Sequence, residues 1–213
     1  MKNLFLFILS TIFLGTLSFS QESSKQIYEI KSLKDSLSKH KIVAILPYKV
    51  SISYKRLPKG YSHEGNLADE QNQSVNMQQG MYTYLLRKAD SYTVKFQDVE
   101  RTNALLRKEN VFTRIDEILS DSLCKLLNVD AVIKCSYAYE KTGSEAGAIV
   151  KTLFFGVGGK TASGALTMQI YNSSTGDLLW RFYKEMNEGA FSNANEVMER
   201  MMRKVSRNFP YEK

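Results

Sequence analysis

Few residues of this 213-residue chain could support metal or redox chemistry. It contains two cysteines, Cys124 and Cys135, and two histidines, His40 and His63. The spacing of the cysteines matches no metal-binding motif, and both histidines stand far from them in polar surroundings. We therefore predict no metal site and no cofactor.

The chain also lacks a long apolar run beyond its first twenty residues. Those twenty contain Lys2, the apolar stretch Leu4–Leu14 and the small-residue stretch Gly15–Ser20, which together have the layout of a secretory signal peptide. The apolar stretch is shorter than the roughly 20 residues that a membrane-spanning helix needs, so an uncleaved anchor is the weaker alternative. We expect cleavage after Ser20, and no cysteine follows the apolar run as a site for lipid attachment.

Export sets the compartment and the class of partner. The mature chain would begin at Gln21, be periplasmic or secreted, and have no transmembrane span. Without Lys2 it has 28 basic and 22 acidic residues, a net charge of +6. This charge favours anionic partners such as envelope polymers, lipid head groups or acidic protein faces, which includes peripheral contact with a membrane. We expect no nucleic-acid partner after export.

Two interpretations of the cysteines stay open. We expect Cys124 on a helix and Cys135 on the strand that follows, and an oxidising compartment permits a disulfide between them. The alternative is a pair of buried free thiols that behave as small apolar residues. We favour the alternative because a sequence does not fix the separation of two Cα atoms.

The apolar pattern predicts an α/β (α+β) domain over residues 41–210, a single mixed β-sheet flanked by helices. The predicted strands lie within residues 41–53, 92–97, 132–139, 166–171 and 178–182. The predicted helices cover about residues 70–88, 98–110, 113–127 and 194–209. Asp98 can cap the second of these helices, and Thr113 with Asp116 can cap the third. Pro47 lacks a backbone donor, so the first strand should bend or reach a sheet edge there.

Two segments before the second strand are polar. Residues 21–40 predict a loosely attached amphipathic helix or a tether, since Ile27, Ile30, Leu33 and Leu37 recur at near-helical spacing. Residues 54–73 predict a long surface loop, and loops of that length are often functional or mobile. The helix after this loop carries Met77, which belongs to a methionine and tyrosine stripe. Such a stripe can bind partners, but we favour a place in the core.

A glycine-rich apolar segment at residues 143–164 is the first candidate interaction site. It places Phe154 and Phe155 beside Gly156, Gly158 and Gly159. Exposed apolar residues often mark interaction sites, whereas both phenylalanines could instead pack against the sheet. A phosphate-binding loop is excluded at GVGGKT, because the motif needs a glycine five positions before Gly159 and Phe154 stands there.

The last predicted helix provides the second candidate site. One side of it is apolar, and the other carries Arg200, Arg203, Lys204 and Arg207. This basic face could dock an anionic partner, although a solvated surface is the default for such charges.

In its order of elements the chain resembles a family of exported α/β domains. The matching segments are IVAILPY at 42–48, VKFQDVERTNALLRKEN at 94–110, LCKLLNVDAVIKCSY at 123–137 and LTMQIYNSSTGDLLW at 166–180. The family includes the N-terminal domain of TolB, LpoB and the periplasmic domain of the curli secretion protein CsgG. The resemblance implies a mixed sheet flanked by helices and a role in envelope assembly through protein contacts. This chain departs from it in lacking an acylated cysteine and in being too short for the hairpins of a curli channel.

The sequence therefore predicts a non-enzymatic exported protein of the cell envelope that acts as a binding or assembly module. One alternative is a homo-oligomeric subunit of an outer-membrane-associated assembly. Another is an envelope hydrolase, since carboxylates are plentiful. However, Asp98, Glu100, Asp116 and Glu117 fall at predicted helix starts, where capping explains them.

Overall fold

The computed structural model describes residues 25–141, 162–188 and 194–213. In these ranges the chain forms one seven-stranded mixed sheet with five helices, which confirms the predicted fold class. The strands are β1 (Gln26–Glu29), β2 (Ile42–Ile45), β3 (Lys49–Tyr54), β4 (Lys95–Phe96), β5 (Ala131–Lys141), β6 (Ala162–Asn172) and β7 (Leu178–Glu188). The helices are α1 (Leu33–Leu37), α2 (His63–Arg87), α3 (Val99–Lys108), α4 (Ser120–Leu127) and α5 (Ala194–Ser206).

The sheet joins a parallel half to an antiparallel half. The strand order is β1-β7-β6-β5-β2-β4, and β3 pairs with β5 further along that strand. Strands β2 and β3 both run parallel to β5, and β4 runs parallel to β2. Strands β6, β7 and β1 follow as an antiparallel meander. Strand β5 therefore lies between the two halves and is a long central strand.

Each face of the sheet contributes to its own apolar cluster. The larger cluster joins one face to α2, α5 and the C-terminal residues Phe209 and Tyr211, and it contains Trp180. The smaller one joins the opposite face to α3 and α4. The predicted methionine stripe belongs to the core, since Met77 and Met81 are buried in the larger cluster.

The two cysteines lie in different clusters. Cys124 on α4 packs in the smaller cluster, whereas Cys135 on β5 packs in the larger one, on the opposite face of the sheet. Both are buried free thiols. The disulfide that the sequence permitted is therefore not formed, because the sheet separates the two side chains.

Local signals fix the junction between α4 and β5. Asn128 ends α4 in the left-handed conformation at φ 55°, and Val129 N–H donates to Cys124 O at 3.1 Å. Asparagine tolerates this conformation better than most residues. Strand β5 begins three residues later at Ala131, as the residues around Asn128 predicted.

The N-terminal segment differs from its prediction. Residues 26–29 form β1 on the edge of the sheet, and only five residues form a helix. Leu33 and Leu37, one helical turn apart, are both buried in the larger cluster. A tether was predicted because the segment is polar, but these two leucines and the pairing with β7 attach it to the sheet. The predicted boundary at residue 40 stays a prediction.

Within the described ranges no helix combines the length and the hydropathy that crossing a membrane requires.

Candidate functional site

The candidate site is built on an irregularity between β2 and β3. Ile45 pairs with Ile133 and Lys49 with Ser136, so three residues (46–48) face two residues (134–135) of β5. This extra residue is a β-bulge, and Pro47 stands at its centre. The predicted bend at Pro47 is confirmed. Bulges of this kind often lie beside binding sites because they redirect side chains.

Helix α2 lies along the outer edge of this bulged strand. Its first turn is capped by Ser62, whose Oγ accepts from Gly65 N–H at 3.0 Å, so the helix starts at His63 and not near the predicted Glu70. The predicted surface loop is correspondingly short. The cap fixes where α2 begins its path beside β3.

A polar stripe on α2 satisfies the backbone of that outer edge. The stripe consists of Asn66, Glu70, Ser74 and Gln78, spaced four residues apart. Gln78 Nε2 donates to Ile45 O at 2.7 Å, Tyr48 N–H donates to Ser74 O at 3.4 Å, and Ile52 N–H donates to Glu70 Oε1 at 2.7 Å. Asn66 Nδ2 donates to Ile52 O at 3.2 Å.

These contacts are distributed along the outer edge of the strand. They occupy Ile45 O, Tyr48 N–H and both backbone groups of Ile52, which would otherwise be available to a neighbouring strand. Helix α2 therefore closes the edge at these residues.

A groove opens beside the bulge, between α2 and the connection from α3 to α4. Its volume is about 410 Å³, within the usual range for a ligand site. Apolar side chains of both walls line it, and Leu67 of α2 is 42% exposed. The apolar lining comprises Leu46, Pro47, Val50, Leu67, Val75, Phe112 and Ile115, and the polar lining includes Lys49, Glu70, Gln71, Asn72, Ser74, Thr113, Asp116 and Lys134. We call this site the bulge groove.

Charges of both signs stand at the bulge groove. Lys49 Nζ and Asp116 Oδ2 form an ion pair at 2.7 Å, and both side chains are more than half exposed. Asp116 was predicted to cap a helix, but it lies in a single 3-10 turn and α4 begins only at Ser120. Lys134 Nζ donates to Ile118 O at 3.4 Å. Burial lowers the pKa of the Lys134 amine, and the nearby Asp116 carboxylate opposes that change.

The thiol at the groove is inert. Cys135 lines the groove but is only 5% exposed, and burial raises its pKa to about 12. It is therefore protonated at neutral pH, which leaves it a poor nucleophile. Across the described ranges, no cluster of three or more histidine, cysteine, aspartate or glutamate side chains could hold a metal ion. The arrangement suits binding of an apolar group with polar flanks.

Phe154, Phe155, Gly156, Gly158 and Gly159 lie outside the described residues, and their role stays a prediction.

The basic residues of α5 lie on the outward side of that helix. Arg203, Lys204 and Arg207 are exposed, and Arg200 is half-buried. Glu199 carries an ion pair to Arg203 at 3.9 Å and another to Arg87 of α2, which neutralises part of this face. The docking of an anionic partner on this basic face stays a prediction.

Sequence reasoning missed the bulge groove as a site. Two signals did point toward it, the proline in an apolar strand and the polar stretch before α2. The two walls of the groove come from α2 and from the connection at residues 112–116. No sequence pattern links these two segments, so the groove could not be seen in the sequence.

Comparison with known proteins finds structural neighbours only. No protein-family model and no curated protein matches the sequence. Lipoprotein GNA1162 from Neisseria meningitidis superposes with a TM-score of 0.46 at 10% identity, covering 79% of this chain and 95% of that chain. The PelC dodecamer from Paraburkholderia phytofirmans gives 0.43 at 13% identity, covering 89% and 97%. The LpoB C-terminal domain from Salmonella enterica gives 0.34 at 10% identity, covering 70% and 84%.

These similarities are too low to carry a functional argument. LpoB, one of the proteins named in the sequence resemblance, is among the neighbours. The resemblance to the TolB N-terminal domain and to CsgG stays a prediction. The function is therefore argued from the bulge groove itself.

Proposed function

We propose that this chain is a non-catalytic, exported protein of the cell envelope that binds an extended segment of a partner protein in the bulge groove. The observation that carries the proposal is the groove of about 410 Å³ beside the bulge, with apolar walls from α2 and from the connection between α3 and α4. Its envelope location rests on the signal-peptide pattern of the first twenty residues.

The lining indicates what kind of segment fits. Leu67 and Val75 form one apolar wall and Phe112 and Ile115 the other, so an apolar side chain can enter between them. Amides, hydroxyls and charges of both signs surround this apolar centre and can accept the polar backbone of an extended chain. The partner segment should therefore present one apolar residue between polar neighbours.

The closed strand edge determines how the segment binds. Because α2 already satisfies Ile45 and Ile52 on that edge, an incoming chain finds few backbone groups for strand addition. Recognition must then come from the inserted side chain, with the rim fixing its direction.

Three of the four carboxylates considered for a hydrolase have structural roles. Asp98 Oδ1 accepts from Arg101 N–H at 2.9 Å and caps α3. Asp116 pairs with Lys49, and Glu117 lies 3.8 Å from Arg114 in a second ion pair. Acid–base catalysis needs groups that converge on a substrate, whereas Asp98 caps a helix and Asp116 and Glu117 each lie in an ion pair.

A photocrosslinking experiment with matched variants tests the proposal. Benzoylphenylalanine placed at Gln71, on the groove rim, should crosslink one envelope protein in intact cells. The same probe at Gln79 should not, since Gln79 is equally exposed but lies about 12 Å further along α2.

Two leucines of α2 supply the decisive control. Leu67→Glu puts a charge in the groove wall and should abolish the Gln71 crosslink. Leu86→Glu changes a residue of similar exposure, 50% against 42%, outside the groove and should leave the crosslink intact. A Gln71 crosslink that survives Leu67→Glu would overturn the proposal.

A further inference from the structure

The two edges of the sheet are treated differently. On one side α2 covers the outer edge of β3, and the short strand β4 ends the sheet beside β2. On the other side β1 is the terminal strand within the described ranges, and all four of its residues are exposed, with Ile27 at 39% and Tyr28 at 51%. A terminal strand of this kind is a template for pairing with another chain.

The backbone of β1 alternates between its two sides. Ile30 N–H donates to Leu179 O at 3.1 Å, so position 30 bonds toward β7. In an antiparallel pair such positions alternate with positions that face away. Positions 28 and 26 then also bond to β7, where they pair with Arg181 and Tyr183. Lys25, Ile27 and Glu29 therefore turn their N–H and C=O groups to the open side.

We propose that β1 pairs antiparallel with β1 of a second copy of this chain, about a two-fold axis at Ile27. In this register the open positions 25, 27 and 29 meet positions 29, 27 and 25 of the second copy. All the outward backbone groups then find partners, about six hydrogen bonds in total. A register displaced by one residue would place outward-facing positions opposite inward-facing ones, and these hydrogen bonds would not form.

The side chains agree with the same register. Lys25, Ile27 and Glu29 share one face of the strand because side chains alternate. Pairing therefore forms two contacts between Lys25 of one copy and Glu29 of the other, one on each side of the axis. The two Ile27 side chains lie between these contacts. On the opposite face Gln26 meets Tyr28. Opposite charges on facing strands attract, and the exposed Ile27 becomes covered.

This interface is isologous and closes after two copies. It consists of two segments of five residues each, residues 25–29 of both copies, and is smaller than the roughly 1,000 Å² of a stable interface. The dimer should therefore be weak and form reversibly, so that its population rises with protein concentration. The pairing does not depend on the bulge groove, which lies at the other edge of the sheet.

Charge reversal tests the register by sedimentation equilibrium of the mature protein. Lys25→Glu and Glu29→Lys each turn two attractive pairs into two repulsive ones and should raise the dissociation constant at least about tenfold. The double variant Lys25→Glu/Glu29→Lys restores opposite charges and should dimerise like the wild type. Wild type that stays monomeric at about 500 µM, or a double variant no better than the singles, would overturn the proposal.

Cysteine substitution provides a second test that does not depend on affinity. Ile27→Cys places two thiols across the axis at about 5.5 Å between Cα atoms, within disulfide range. Tyr28→Cys is the matched control, since its copies lie diagonally, beyond about 7 Å. Mild oxidation should link the first variant far faster than the second. Equal rates would contradict the register. Circular dichroism checks that every variant is folded.

Discussion

The buried amide pair that attaches α2 to the sheet gives a quantitative prediction. Gln78 is fully buried, and its Nε2 donates to Ile45 O at 2.7 Å and to Asn103 Oδ1 at 3.0 Å. Asn103 Nδ2 donates back to Gln78 Oε1 at 2.8 Å. The two side chains thus satisfy each other, and Gln78 also satisfies Ile45 O on the strand edge.

The cost of each substitution follows from the groups that it leaves unpaired. Gln78→Met leaves Ile45 O and both ends of the Asn103 amide unpaired, about 3 kcal/mol at roughly 1 kcal/mol for each group. Asn103→Leu leaves two Gln78 groups unpaired and should cost about 2 kcal/mol. The double variant leaves only Ile45 O and should cost about 1 kcal/mol. The pair is therefore strongly non-additive.

Urea unfolding followed by tryptophan fluorescence measures these differences, because Trp180 is the only tryptophan and is 1% exposed. Gln79→Met, on the exposed side of the same helix, is the control and should change the free energy of unfolding by less than about 0.5 kcal/mol. A double variant that loses the sum of the two single losses would refute the reasoning.

Three further predictions concern the core. Burial lowers the pKa of His40, while its hydrogen bond to Asn172 Oδ1 and the charge of Asp130 oppose that change. The stabilising contribution of the neutral imidazole is therefore complete above the usual value of 6.5 and is lost as the pH falls below it. Urea unfolding between pH 8 and pH 5 should therefore show a smaller loss of stability for His40→Gln than for wild type, and equal losses would contradict this. Cys124 and Cys135 should not react with Ellman's reagent in the folded protein, whereas two thiols should appear in guanidinium; a mass two hydrogens lower than expected would show a bridge after all. Gly164→Ala should cost about 1–3 kcal/mol in thermal unfolding, because a Cβ there would lie 2.8 Å from Tyr137 Oη and 2.9 Å from its ring, and an unchanged melting temperature would contradict the packing.

The parts of the fold that depend on local signals could be predicted. Asp98 caps α3 as expected, and the turn from β6 to β7 places Gly176 at φ +74°, where glycine is favoured. The junction after α4 follows from Asn128 in the same way. In each case a few neighbouring residues decide the conformation, so the pattern is visible in the sequence.

The parts that depend on distant contacts could not be predicted. The polar stripe of α2 has the sequence pattern of an ordinary solvated face until its partner strand is known. Strand β1 is too short and polar to signal itself without β7. The sequence around Asp116 predicts a helix cap, whereas in the structure Asp116 forms an ion pair with Lys49 of another element. The four-residue spacing of the stripe is also the spacing of a solvated helix face, so the groove beside it could not be located from the sequence.

Methyl NMR of the isotope-labelled protein tests the central proposal most directly. The partner segment identified by the Gln71 crosslink is added to the mature protein, and the isoleucine, leucine and valine methyl signals are followed. The account predicts that Leu67, Val75 and Ile115 shift in proportion to bound segment, whereas the exposed Leu86 and Leu119 keep their positions. Shifts confined to residues outside the bulge groove, or no shift at saturating segment, would contradict it.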